Sequence, residues 1–332
     1  MGGLKQSPNL DLLRAAAVLL VFFSHVPAAL TAKPVWDTEF VGHFGVMIFF
    51  IHTSLVLSMS MARLEQQGER MVPSFYIRRA FRIYPLSILT VAVILVLRIP
   101  AYFYTRFAMP DWLGVWSNLL LFQNLARRNS VTGPLWSLPY EVQMYLVLPL
   151  IYYAGKRMGK PLLLGASGLV AYLADHFLSR RFGYPPLFEY APWFTLGVAL
   201  YFVKPRARLS GLLYCVWLGL FIVTPFLRHE TLFDYYVTSV VFCLLFRSFR
   251  EIEFRQLRRA AQYVARYSYG IYLSHVPLMW FAAERMAGQP AALRVGVFLV
   301  LAVATPVLLY HTVEKPFVDF GARLAARFKV GA

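Results

Sequence analysis

The chain has 332 residues, of which 59% are hydrophobic and 17% aromatic while only 15% are charged; a soluble domain averages about 25% charged, so composition and a mean hydropathy of +0.56 exclude an ordinary water-soluble globule. The formal charge of +17 could fit nucleic acid, but the lysines and arginines sit in the connections between long apolar runs, as in a multi-pass membrane protein, so nucleic acid is set aside as a partner. Cys215 and Cys243 lie inside apolar runs without ligand spacing, which leaves neither a disulfide framework nor a metal site to expect.

A membrane-spanning helix needs about 20 apolar residues. In chain order the candidates are 10–30, 40–62, 83–99, 140–155, 161–178, 189–203, 209–227, 232–249, 267–284 and 291–313. The first follows a short, nearly neutral leader without a cleavage pattern and is expected to be a retained span. Segment 112–125 is apolar but short; it is expected to be re-entrant or interfacial within a long loop, 100–139. With the N-terminus in the cytoplasm, the inner connections and tails carry 22 Lys and Arg and the outer ones 10, which favours this orientation, with both termini cytoplasmic. The predicted fold is therefore all-α: a polytopic membrane helix bundle of about ten transmembrane helices, with 1–332 forming a single integral-membrane domain.

Four constellations interrupt the apolar pattern. In "RAAAVLLVFFSH", eleven residues separate Arg14 from His25, three helical turns plus about 20°. Both would share one helix face about 16 Å apart, with Asp11 placed to pair with Arg14. Arg14 can snorkel to headgroups and His25 can bond a neighbouring helix, but a charge within a span more often faces the bundle interior or a wet cavity. In "FYIRRAFRIYP", Arg78, Arg79 and Arg82 lie at helical spacing at the inner mouth of the third span; they read as basic anchors or as a clamp for phosphate oxygens.

In "GPLWSLPYEVQMYLVLPL", Pro139 fits a helix start and Glu141 a first turn, where the helix dipole favours an acid. Trp136, Ser137, Tyr140, Glu141, Gln143 and Tyr145 form a polar-aromatic patch of the kind that binds carbohydrate. In "YSYGIYLSHVPL", His275 precedes Pro277 by two residues; the backbone groups freed by the proline could be satisfied by Ser274 or water. His275 reads as a buried hydrogen-bonding group or as a catalytic one. His52, beside Thr53 and Ser54, reads in the same two ways.

With these stretches in view, the chain resembles the membrane acyltransferase 3 family almost end to end. The resemblance is carried, in order, by "LDLLRAAAVLLVFFSH", "FGVMIFFIHTSLVL", "RRAFRIYP", "LWSLPYEVQMYLVLP", "YSYGIYLSHVPL" and "VEKPF". It departs at His52, Thr53 and Ser54, where many members carry a Ser-Gly-aromatic triplet. The chain stops soon after the tenth candidate span, so the extra periplasmic hydrolase-like domain of some members is not expected.

The resemblance implies an O-acyltransferase of the bacterial inner membrane that moves an acyl group, by family habit acetyl, from cytosolic acyl-CoA to a sugar hydroxyl at the outer side. It implies Arg14 and His25 as essential, with Arg78, Arg79, Arg82 and Glu141 contributing. Put together with the topology, the three arginines would hold the donor, His25 would act as general base, and Trp136, Ser137, Tyr140, Tyr145 and His275 would meet the acceptor. The implied partners are the bilayer, acetyl-CoA and a carbohydrate or glycoconjugate, with no metal. The rival reading is a sugar or acid transporter, which polar residues inside spans also suit; the sequence shows no internal repeat of the kind carriers contain.

Overall fold

The computed structural model describes residues 7–31, 36–102, 105–183, 185–204, 206, 208–227 and 232–328. Lys5, Lys33, Arg228 and Lys329, used in the charge count, lie outside them. The described residues form helices α1 (Pro8–Ser24), α2 (Val26–Thr31), α3 (Trp36–Gln66), α4 (Met71–Leu97), α5 (Trp112–Leu119), α6 (Ser137–Met158), α7 (Pro161–Phe182), α8 (Ala191–Phe202), α9 (Gly211–Leu227), α10 (Leu232–Phe246), α11 (Arg255–Trp280), α12 (Ala291–Leu309) and α13 (Lys315–Ala325). A 3₁₀ turn, Gly133–Trp136, leads into α6, and π turns, Phe281–Arg285 and Tyr310–Glu314, follow α11 and α12. An isolated parallel bridge pairs Leu209 with Phe249.

Every expected apolar segment is helical. Among the described residues, four helices are long and apolar enough to cross a bilayer: Glu39–Gln66, Met71–Leu97, Pro161–Phe182 and the run Ala291–Ala325. Segment 112–125 contains only the eight-residue α5, which rises about 12 Å and falls far short of the roughly 30 Å hydrocarbon layer.

Three expectations about the helices are corrected. The first span is not one continuous helix: α1 ends at Ser24 and the chain turns at His25 before α2. The third apolar segment does not begin at 83. Its helix starts at Met71, because Tyr76, Ile77, Ala80 and Phe81 already supply apolar surface around the arginines, so the cluster lies within α4. The helix holding Glu141 starts at Ser137 and has no acid in its first turn, so the dipole account of Glu141 fails.

The chain divides into two compact units. The first comprises residues 1–24, 36–60 and 146–268. Ser7 caps α1 by accepting the Leu10 N–H at 3.3 Å, and Pro8 follows where a missing N–H costs nothing. Asn9 is fully used: its amide donates to the Arg250 carbonyl at 3.0 Å, its Oδ1 accepts from Ile252 N–H at 3.0 Å, and its carbonyl accepts from the Tyr214 hydroxyl at 2.9 Å. Helix α1 lies so close to α3 that a Cβ on Gly45 would sit 2.8 Å from the Ala17 carbonyl oxygen, the small-residue approach by which apolar helices gain packing contacts. Aromatic rings fill the rest. Phe50 stacks on Phe194 with centroids 4.6 Å apart, Phe221 stacks on Phe242 at 4.2 Å, and Phe44 meets Phe221 edge-on at 4.9 Å.

The second unit comprises residues 25–35, 61–145 and 269–332. Helix α13 packs on α4, where the missing side chain of Gly321 admits Phe81; a Cβ there would lie 2.6 Å from the Phe81 Cβ. The Arg70 N–H donates to the Phe328 carbonyl at 2.8 Å. The connection from α4 to α6 is held by Asn118, whose Nδ2 donates to the Asn129 carbonyl at 3.0 Å and whose Oδ1 accepts from Val131 N–H at 3.0 Å.

Candidate active site

All but one of the residues expected to act fall in the second unit: His25, Arg78, Arg79, Arg82, Trp136, Ser137, Tyr140, Glu141, Tyr145 and His275. Arg14 belongs to the first unit. There its Nε donates to the Ser268 hydroxyl at 2.6 Å and its guanidinium lies over the Phe49 ring at 4.8 Å, a cation–π arrangement; Asp11 is within its electrostatic reach. His52 is buried near Arg14, and its Nδ1 and the Thr53 hydroxyl have no hydrogen-bond partner among the described residues.

The turn after α1 brings His25 to His275 on α11. The rings pack edge to face with centroids 5.0 Å apart, and His275 Nε2 lies 3.4 Å from His25 Nδ1, at the long end of hydrogen-bond reach. His275 Nδ1 is 3.0 Å from the Ile271 carbonyl oxygen. A carbonyl only accepts, so Nδ1 of His275 carries the proton and, in the neutral ring, Nε2 carries the lone pair. His25 then donates through its Nδ1–H, and its own Nε2 holds a lone pair, the configuration a general base requires. His275 is 1% exposed. Of the two candidates for repairing the backbone at Pro277, Ser274 or water, Ser274 is not engaged: its hydroxyl has no partner among the described residues.

The three arginines of α4 are not equivalent. Arg78 donates from one terminal nitrogen to both carboxylate oxygens of Glu69, at 3.1 and 3.3 Å. Arg82 pairs with Glu314 of the second π turn and lies 5.6 Å from the centroid of the Tyr269 ring. Arg79 makes no hydrogen bond or ion pair among the described residues and is within electrostatic reach of Tyr145, Glu141, Arg78 and Arg82. Glu141 accepts a short hydrogen bond from the Tyr145 hydroxyl. The Tyr272 hydroxyl donates to the Pro134 carbonyl at 2.5 Å; having spent its proton, its oxygen accepts from Ser137 at 2.6 Å. Ser137 and Tyr272 thus tie the 3₁₀ turn to α11.

Trp136 and Tyr140 meet edge-on at 6.3 Å and form part of a cleft of about 750 Å³ in the α4–α6 connection. At its rim Arg128 holds Asp111 in a fork, Nε and one terminal nitrogen donating at 3.0 and 2.8 Å to Oδ2. This hydrogen bonding, with the Gly114 N–H that Asp111 accepts to cap α5, holds the Asp111 carboxyl below the usual carboxylate range. Among the described residues no group of three or more His, Cys, Asp or Glu is placed to hold a metal ion.

Sequence reasoning did not assign Glu69, Glu314, Tyr272 or Gln123. Glu314 and Tyr272 lie inside the stretches "VEKPF" and "YSYGIYLSHVPL" that carry the resemblance, and an acid amid apolar neighbours was the available signal. Glu69 and Gln123 gave none, because their partners depend on how the connections fold.

Residues 7–311 match a family model described as an acyltransferase domain. The Bacillus subtilis (strain 168) protein YrhL, whose name provisionally assigns it peptidoglycan O-acetylation, is 25% identical over 368 aligned residues, covering 96% of this chain and 56% of its own length. The chain thus spans little more than half of that relative. No solved structure matches.

Proposed function

The chain belongs to the acyltransferase 3 family, and from that premise we propose that it transfers an acyl group, acetyl by family habit, from cytosolic acyl-CoA to a hydroxyl of a carbohydrate or glycoconjugate outside a bacterial inner membrane. The observation that carries the reading is the His25–His275 contact, which sets the His25 tautomer so that its Nε2 carries the lone pair. The sugar acceptor is supported by the name of the Bacillus relative and by the polar-aromatic surroundings of Trp136 and Tyr140. Ten crossings with both termini cytoplasmic are supported by the helical pattern and the distribution of Lys and Arg.

Within the second unit the roles divide as follows. Arg79, whose guanidinium is not engaged by an acid as those of Arg78 and Arg82 are, suits a donor phosphate; Arg78 and Arg82 hold the shape and sign of that surface. Bound acyl-CoA would supply the activated thioester carbonyl. Nε2 of His25 takes the acceptor hydroxyl proton as the new ester bond forms, and the imidazolium returns it to the departing sulfur. His275 fixes the tautomer and orientation of His25. Glu141, with Tyr145, orients the acceptor or balances the arginine charge, while Trp136, Tyr140 and the Ser137–Tyr272 pair shape the acceptor side. Arg14 keeps the essential role that the family resemblance implies, held by Ser268 and Phe49.

The test is direct. The full chain, purified in lipid nanodiscs, is incubated with radiolabelled acetyl-CoA and an extract of bacterial envelope glycans. Acetyl label appearing covalently on a glycan is the expected result. Label taken up into proteoliposomes without any acylated product would replace the enzyme by a carrier.

A further inference from the structure

The cleft in the α4–α6 connection has not yet been given a ligand. Its volume, about 750 Å³, falls in the range of small-ligand sites. One wall is aromatic, from Trp136 and Tyr140. Gln123 lines it at 2% exposure: its amide nitrogen donates to the Ser130 hydroxyl and to the Leu135 carbonyl, both at 3.2 Å, while its Oε1 is buried without a partner among the described residues. A buried amide oxygen left without a donor is unfavourable, so a hydroxyl entering the cleft meets an acceptor that gains by it. Asn124, also lining the cleft, is oriented by reciprocal hydrogen bonds with Gln143 at 2.9 and 3.3 Å.

The charge is asymmetric. The cleft's ionic residues are Arg106, Arg128 and Asp111. Arg128 is neutralised by Asp111, whereas Arg106 makes no ion pair or hydrogen bond among the described residues, leaving one uncompensated guanidinium at the rim. The walls are held in place: Asn118 clamps the connection, Asp111 caps α5, and Leu121 and Arg127 are held at φ of 58° and 52°, a conformation that side-chain-bearing residues adopt only under constraint from their surroundings.

We propose that this cleft is the acceptor subsite and takes a saccharide bearing a carboxylate, such as a uronic acid or a lactyl-substituted sugar. The sugar face lies on Trp136 and Tyr140, a hydroxyl donates to Gln123 Oε1, and the carboxylate meets Arg106. The assignment rests on the acyl-transfer reading for the purpose of the site, but the binding it requires is independent of turnover.

The experiment uses the full chain in nanodiscs, titrated calorimetrically with trigalacturonate and with uncharged galactotriose at fixed salt. Trigalacturonate should bind about tenfold more tightly, the size of one charge-assisted hydrogen bond. Arg106→Gln should erase that preference while leaving galactotriose binding in place, and Trp136→Ala should weaken both. Equal affinity for the two sugars, an unchanged preference in Arg106→Gln, or no binding of either at millimolar concentration would overturn the proposal. Acetyl transfer by a protein that fails these titrations would leave the acyltransferase reading standing without this subsite. Acid-sugar binding by a protein that never consumes acetyl-CoA would do the reverse.

Discussion

The two units bury polar side chains to different ends. In the first, Asn9, Asp175 and Thr195 serve backbone groups: Asp175 accepts the N–H groups of Leu187 and Phe188 at 2.8 and 2.9 Å, and Thr195 donates to the Gly165 carbonyl at 3.2 Å. The space between is filled by stacked rings and close helix contacts at glycine. In the second, ionisable side chains face one another: Arg78 with Glu69, Arg82 with Glu314, Tyr145 with Glu141, His25 with His275. A buried charge is tolerated only with a partner, so a unit dense in such pairs spends stability on placing charge. Its counterpart spends its polar groups on holding shape. In the proposed reading the second unit holds most of the reacting groups, with Arg14 contributed by the first.

That contrast can be broken by substitution. The largest effect is expected at His25: His25→Ala should lower acetyl transfer by about 10²–10⁴-fold, the usual worth of general base catalysis, while the protein inserts normally; full activity in a labelled-transfer assay would remove the imidazole from the reaction. Next, Arg82→Ala leaves Glu314, 2% exposed, as an unpaired buried charge and should lower stability by about 3–5 kcal/mol in a denaturant titration. Replacing both Arg82 and Glu314 by leucine should cost less than the single change.

His275→Ala should reduce transfer by about 10- to 100-fold, equivalent to about 1.4–2.7 kcal/mol. His275→Gln, which keeps an acceptor for the His25 Nδ1–H, should recover part of that loss, an outcome that a purely structural role would not produce. In the first unit, Gly197→Ala places a Cβ 2.2 Å from the Ile51 carbonyl oxygen. It should lower stability by about 1–3 kcal/mol and leave the KM for acetyl-CoA of the folded fraction unchanged. A KM shift there would erase the division of labour.

The smallest effect is at Asp111. Its folded-state pKa is depressed by Arg128, so its contribution is present above the unfolded carboxylate value of about 3.9 and is lost as pH falls through the lower folded value. The protection factors of amides in residues 112–131, exchange corrected for its intrinsic pH dependence, should be unchanged from pH 7 to 5 and fall only in stronger acid; Asp111→Asn should remove that dependence.

Helix positions were readable because apolar length alone marks them, and α7, 161–182 in the structure against 161–178 expected, shows how closely. Helix starts were less readable where apolar and basic residues mix. Arg78, Arg79 and Arg82 looked like a boundary, yet buried carboxylates from Glu69 and Glu314 let α4 run through them. His25 stood out as a polar residue among apolar neighbours, but the turn there was missed: the apolar length of Phe22, Phe23 and Val26 outweighed Pro27, which was the available signal of a helix break. Trp136 and Tyr140 were visible as a polar-aromatic patch, whereas Arg106 and Gln123 reach the same cleft only through a connection whose course is set by Asn118 and by two non-glycine residues at positive φ.

The π turn Tyr310–Glu314 amounts to a one-residue insertion in an otherwise regular helical run. If these five residues closed into α-helix with none removed, everything downstream would swing by about one residue's rotation, 100°. Gly321 would then rotate away from Phe81, or, if α13 kept its seat, the Glu314 carboxylate would leave Arg82. A single frame-setting residue therefore ties the docking of the last helix to the neutralisation of Arg82 on α4, and the two are gained or lost together.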